Sequence, residues 1–185
     1  GPPIPIPNLV VGGRSGLKPL GTLPIDLNYG LNMTTFAFGV TGFHTGASLH
    51  VLKQNGAWPA LSVTERVHVY NNVLGSGKPK ETQTWWGLNE FDLTASWLAG
   101  HHILYVGMSD ALDLGDPEWL ISPFFGTELR PKGGRFAWQL ESRWLGANFS
   151  PDVYDVSWLN TGDPGHGLFT FTVGASWKLG AGGPS

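Results

Sequence analysis

Cysteine is absent from the 185 residues, which excludes disulfides and thiolate metal sites but leaves the compartment open. Charge is scarce as well. Asp, Glu, Lys and Arg make up 14% of the chain, against about 25% in an ordinary soluble domain. A soluble surface is hard to cover with so few charges, whereas a barrel in a bilayer needs an apolar outer belt. The net charge of −3 comes with no basic run, which argues against a nucleic-acid partner. No stretch approaches the ~18 consecutive apolar residues of a transmembrane helix. Gly1-Pro2-Pro3 has neither the basic start nor the apolar core of a signal peptide, so the chain reads as a processed form or as one never exported.

Turn formers and aromatics are plentiful instead. There are 27 Gly, 14 Pro, nine Trp and ten Phe. The clearest pattern lies at 168–179. Phe169, Phe171, Val173, Ala175, Trp177 and Leu179 alternate with Thr170, Thr172, Gly174, Ser176 and Lys178. A period of two is a β-strand with one apolar and one polar face. Similar alternation gives eight strand candidates, at 33–43, 47–54, 61–73, 89–99, 102–109, 119–130, 135–146 and 168–179. The connections after the second, fourth and sixth are short, and those after the third, fifth and seventh are longer. His44-Thr45-Gly46 is a short first connection that breaks this rhythm. The expected fold is all-β: a closed antiparallel up-and-down transmembrane β-barrel of eight strands over 30–179. Residues 1–29, rich in Pro and Gly, read as an extended N-terminal arm, and 180–185 as a flexible tail.

Which face points inward follows from bulk. Phe91, Leu93, Ala95 and Trp97 share one face, opposite Glu90, Asp92, Thr94 and Ser96. Eight strands leave an interior just wide enough for side chains, and these aromatics would overpack it. The apolar face is therefore placed in lipid. Trp97, Trp119, Trp144 and Trp177 lie near strand ends, as an interfacial aromatic girdle does. The interior then holds Arg66, His68, Glu90, Asp92, Glu128, Glu141, Arg143 and Lys178, whose mixed signs allow a closed network and a plugged barrel. Glu65 is the exception, aimed at lipid beside Val63 and Val67. A bulge, a headgroup-level position or a protein neighbour would accommodate it.

At this point the chain resembles the small eight-stranded outer-membrane barrels typified by outer membrane proteins A and X. The resemblance covers about residues 30–179 and rests on strand alternation, connection lengths and the final strand, not on a catalytic signature. Family members often end at an aromatic residue, whereas Gly180-Ala181-Gly182-Gly183-Pro184-Ser185 follows here. The resemblance implies a bacterial outer-membrane location and contact with lipopolysaccharide or other lipid. The role expected is structural, or that of a non-enzymatic accessory subunit in an envelope assembly. Its contacts would be the N-terminal arm and the aromatic loops containing Trp85, Trp86, Tyr154 and Trp158. Some barrels of this kind modify lipid A with a rim His and Ser. Ser48 and His50 share a face, with His68 on the next strand, but no His-x-Ser-Asn motif occurs. A soluble lipocalin-like barrel holding a small apolar ligand is a further reading, with the faces inverted. No cofactor and no metal site are expected. His101 and His102 point apart on a strand, and the acidic stretch with Asp110, Asp113, Asp116 and Glu118 lacks an EF-hand pattern.

Overall fold

The computed structural model describes residues 10–33, 40–72, 85–113, 120–131, 134–145 and 168–177. They form nine strands: β1 Val10–Gly16, β2 Ile25–Asn32, β3 Val40–Leu52, β4 Ala60–Asn72, β5 Trp85–Ala99, β6 His102–Asp113, β7 Leu120–Leu129, β8 Phe136–Leu145 and β9 Leu168–Trp177. Each strand pairs antiparallel with its neighbour in sequence, in the order β1 to β9. The sheet curls into an open half-barrel whose two edges are β1 and β9.

Two expectations are corrected. The sheet has nine strands, not eight, and the added ones lie in the region read as an arm. β1 and β2 pair from Val10↔Asn32 to Gly16↔Asp26. In β1 the signal is diluted because glycine takes three of its seven positions, whereas β2 alternates from Ile25 to Leu31 but follows directly on a Pro/Gly-rich segment. The second correction joins two candidates into one. His44-Thr45-Gly46 is the middle of β3, facing Arg66 to His68 of β4. Gly46 is there for close approach, since a Cβ would come within 3.0 Å of the Glu65 carbonyl and the Arg66 Cα.

The turns at one end of the sheet share a design. Leu20 and Leu23 exchange backbone hydrogen bonds of 3.0 and 3.1 Å, and Asn55 and Trp58 do so at 3.2 and 3.0 Å. Gly21, Gly56 and Gly100 take the first central position of the three turns, with φ of 64°, 58° and 65°. Positive φ there marks the primed hairpin turns, whose twist matches that of the strands they join. This turn end carries the connections 17–24, 53–59, 100–101 and 130–135. The loop end carries 33–39, 73–84, 114–119 and 146–167.

Burial alternates with the pleat, in an inverted sense. On β5 the buried positions are Leu88, Glu90 and Asp92, while Phe91 and Leu93 remain 48% and 49% exposed. On β7, Ser122 and Phe124 are buried and Ile121 and Phe125 exposed. The concave face carries Asp, Glu, Arg, His, Ser, Thr and Gly, with Leu88, Tyr105 and Phe124 among them. The convex face is lined by Leu, Val, Phe and Trp. Phe171 on β9 is 81% exposed.

Candidate functional site: the polar concave face

Glu90, only 8% exposed, is the centre of the larger cluster. Its Oε2 lies 2.9 Å from His68 Nε2, and its Oε1 accepts from Ser109 Oγ at 2.9 Å and from Arg143 Nη1 at 2.6 Å. Arg66 Nε stands 3.4 Å from Oε2, and Arg66 Nη2 pairs with Asp92. Arg143 Nη1 also donates to Ser109 Oγ at 3.1 Å, and Nη2 to Glu141 at 3.3 Å. Tyr105 donates its hydroxyl to Glu141 at 3.1 Å. The antiparallel register explains the assembly. Arg66 is directly opposite Glu90, Asp92 opposite Ser109, and Glu141 opposite Gly126. The contact between β5 and β8 spans three strand steps and requires the strong curvature of the sheet.

Aromatic rings fill the gaps that glycines leave. Tyr105 is opposite Gly126, and Phe124 is opposite Gly107. A Cβ at either glycine would sit closer than 3.0 Å to the facing ring. The two rings meet edge-on, 6.2 Å apart, and the Arg143 guanidinium lies 5.0 Å above Phe124. The His44 and His68 rings lie 5.3 Å apart, tilted by 38°.

A second cluster lies toward the turn end, between β1 and β4. Arg14 Nε donates to Asp26 Oδ2 at 2.7 Å. His50 Nε2 is 2.9 Å from Asp26 Oδ2 and 3.1 Å from Arg14 Nη2, so the position of its proton decides which contact is a hydrogen bond. Asn28 Nδ2 donates to Ser48 Oγ at 2.8 Å, and Ser48 and Thr64 hydroxyls are 2.8 Å apart. Ser48 and His50 share a face but use separate partners. Arg130 Nε donates to Glu128 at 2.5 Å near the 130–135 connection, apart from both clusters.

Arg66, His68, Glu90, Asp92, Glu141 and Arg143 therefore come together on one face. Glu128 is on the same face but pairs with Arg130, and Lys178 lies outside the described residues. Sequence reading did not place Ser109 and Tyr105 in this cluster, nor link Arg14 and Asp26. Alternation within β6 puts Ser109 and Tyr105 on one face, but their partners depend on register. Among the described residues no group of three His, Cys, Asp or Glu could hold a metal ion.

The tryptophans divide between the two ends. Trp97 donates Nε1 to the Ala57 carbonyl at 3.1 Å, and Trp177 packs against Phe136 with ring centroids 6.1 Å apart. Both lie at the turn end, where Phe136 also meets Trp138 edge-on at 5.1 Å. Trp144 is at the loop end of β8, paired with Phe169. Trp119, Tyr154 and Trp158 lie outside the described residues. Trp85 and Trp86 are corrected from loop to strand, since they open β5 opposite Asn71 and Tyr70. The adjacent tryptophans interrupt the period-two alternation, but aromatics favour strands. Likewise Asp110 and Asp113 are in β6 and not in a loop.

Glu65 falls on the convex face, between Ala47 and Phe91, and Phe91 in turn faces Asp110. The register of β4 is continuous through Glu65. The irregularity in the β3–β4 ladder is at His50/Leu52. On the turn-end side of this row an open groove of about 580 Å³ is lined by Leu61, Leu93, Val106, Met108, Phe125 and Trp144. Comparison with protein-family models, curated proteins and solved structures found no match in any of the three.

Proposed function

We propose that the chain is a bilayer-embedded outer-membrane β-barrel without an open pore, acting as a structural or accessory component of an envelope assembly. One observation carries the reading: the exposed convex face is apolar, and the enclosed concave face is charged and internally paired. Water favours the opposite arrangement, whereas lipid favours this one. A soluble barrel for an apolar ligand would need an apolar concave face, and the network around Glu90 and Arg143 occupies that space.

Dimensions support the same reading. From Phe91 to Ala99, β5 advances about 27 Å at ~3.4 Å per residue. At a tilt of about 40° that covers roughly 20 Å of depth, close to the ~25 Å band of outer-membrane barrels. Glu65, Asn89 and Asp110 then lie at the upper limit of the belt, at headgroup level. Above it β3 to β6 project toward the loop end. Contacts with an envelope partner fall to residues 1–9 and to the loop-end connections, including the one between β8 and β9 that carries Tyr154 and Trp158.

In lipid the free edges must be satisfied, because an unpaired backbone group in hydrocarbon costs several kcal/mol. The occupant proposed for each edge is the other edge of the same chain. With nine strands in strict antiparallel succession, β1 and β9 run the same way, so the closing pair is parallel.

The test is extraction of native membranes. Retention through carbonate and urea, with release by detergent, is expected. Release into the aqueous fraction without detergent would overturn the reading. Purified protein in a planar bilayer should give no steady conductance, and a stable open channel would refute the sealed interior.

A further inference from the structure

The two ends of the sheet differ sharply in charge. At the turn end Lys18, Lys53, Arg130 and Arg135 stand in the connections, with no Asp or Glu among the described residues there. The sequence adds Lys132 between β7 and β8, and Lys178 after β9. The loop-end connections carry Lys78 and Lys80 against Glu81, Asp116, Glu118, Asp152, Asp155 and Asp163. Arg130 is engaged by Glu128. Lys18, Lys53 and Arg135 are exposed and make no ion pair among the described residues.

The same rim exposes apolar side chains. Leu20 is 68% exposed and Trp58 79% exposed, with Leu17, Leu52 and Leu98 also largely open. Trp58 is held in place. Gln54 Oε1 accepts from the Leu98 backbone N–H at 2.6 Å, and Trp97 Nε1 donates to Ala57 O, fixing the 53–59 turn against β5.

We infer that the turn end is a rim that binds anionic phospholipid headgroups. This rests on the membrane reading above. Cations stand at three of the four turns, so the charge runs around the rim in place of forming one patch. The rim is also continuous with the convex apolar face through Trp97, which shares that face with Phe91 and Leu93. A phosphate layer beside hydrocarbon matches both properties, because cations meet the phosphates while Trp and Leu enter the interface. An acidic protein would engage one side of the rim and gain nothing from continuity with the belt. The chain therefore sits with its turn end in an anionic leaflet and its acidic connections on the other side.

The experiment uses the full chain folded in a neutral detergent and follows its thermal unfolding as lipid is added. Phosphatidylglycerol should raise the midpoint, and phosphatidylcholine of the same chain length should not. Added salt should weaken the effect. The triple variant Lys18→Gln/Lys53→Gln/Arg135→Gln should keep the lipid-free midpoint and bind phosphatidylglycerol about 100-fold more weakly, at about fivefold per basic residue. Lys78→Gln/Lys80→Gln should respond as the unmodified chain does. Equal responses to the two lipids, or an undiminished response in the triple variant, would overturn the proposal. So would an equally large shift from polyglutamate, which would indicate an acidic protein, or from inorganic phosphate, which would indicate free anion. Failure of the membrane reading looks different: the chain would stay folded and dispersed with no detergent present.

Discussion

Arg143 on β8 and Glu90 on β5 meet at 2.6 Å although three strand steps separate them. In a flat sheet those strands would be about 14 Å apart at ~4.8 Å per step. The pair thus links the curvature of the sheet to the charges it encloses. Both groups are largely withdrawn from solvent, with side-chain exposures of 21% and 10%.

Removing one partner should therefore cost more than the pair is worth. Arg143→Met leaves Glu90 with His68, Ser109 and Arg66 but without its shortest contact. Loss of about 3–5 kcal/mol is expected, the range for breaking a buried pair. Unfolding in detergent measures it. The double variant Arg143→Met/Glu90→Gln should recover part of the loss, and full additivity would show that the two groups do not interact.

Glycine pairs should separate by what the added Cβ meets. At Gly42 the nearest atoms are those of the Tyr70 ring, whereas at Gly46 they include the Glu65 carbonyl and the Arg66 Cα. Gly42→Ala should destabilise by about 1–3 kcal/mol and be partly rescued by Tyr70→Ser. Gly46→Ala should be at least as damaging, and no trimming of Arg66 should rescue it, because the backbone is in the way. Melting temperatures of the four variants and the two combinations decide this.

Turn glycines offer a cleaner contrast. Gly56 and Gly100 have φ of 58° and 65° and open space around them. Gly56→Ala and Gly100→Ala should each cost roughly 1–2 kcal/mol through backbone conformation alone. Gly16, where a Cβ would find Asp26 Oδ1 at an ordinary 3.5 Å, should accept Ala with little change. Denaturant midpoints at constant slope are the readout.

The legibility of the chain followed these same glycines. β5 and β9 could be read directly because Phe91 and Leu93, and Phe171 and Val173, alternate with polar residues or glycine. β1 could not. Gly12, Gly13 and Gly16 take positions there that a bulky residue would otherwise mark. β2 does alternate, with Ile25, Leu27, Tyr29 and Leu31 against Asp26, Asn28, Gly30 and Asn32, and is hidden only by the Pro/Gly-rich segment before it. Gly30 is opposite His44, and Gly13 is opposite Tyr29, whose ring lies against it. That role involves a side chain from another strand, so it leaves no local trace. Gly46 misled in the same way, suggesting a turn where two backbones approach. The polar face was legible as a set, because face follows from period two. Its pairings were not, since Arg66 meets Asp92 and Arg143 meets Glu90 through register and curvature.

Charge on the convex face should behave differently from charge on the concave one. Leu93→Arg places a guanidinium in the proposed belt and should cost about 2–4 kcal/mol in a bilayer. Glu65→Leu, at the edge of the belt, should be neutral or stabilising. Folding into phospholipid vesicles, followed by gel mobility, tests both. If Leu93→Arg inserts as readily as the unmodified chain, the convex face does not contact lipid.

The proposed parallel closing pair can be tested and located by cross-linking. Ser15→Cys combined in turn with Phe171→Cys, Val173→Cys or Ala175→Cys samples neighbouring registers of β1 and β9. One combination should form an intramolecular disulfide in vesicles, where Cα atoms must approach within about 7 Å. Dimers linked through these positions would mean that a second copy occupies the edges.

Strict succession of neighbours also bears on how the structure is reached. From β1 to β9 no strand waits for a distant one, because each ladder joins segments adjacent in sequence. Three of the reversals use the Gly21, Gly56 and Gly100 turns, so hairpins can form in microseconds and add to one another in order. In the closed barrel proposed above, the one step that brings remote segments together is the meeting of β1 with β9, and chain-closure entropy falls on that step alone. Assembly of such a barrel would be a zipper with a slow final stitch, and the stitch is where a folding helper or a membrane defect would have the greatest influence on its rate.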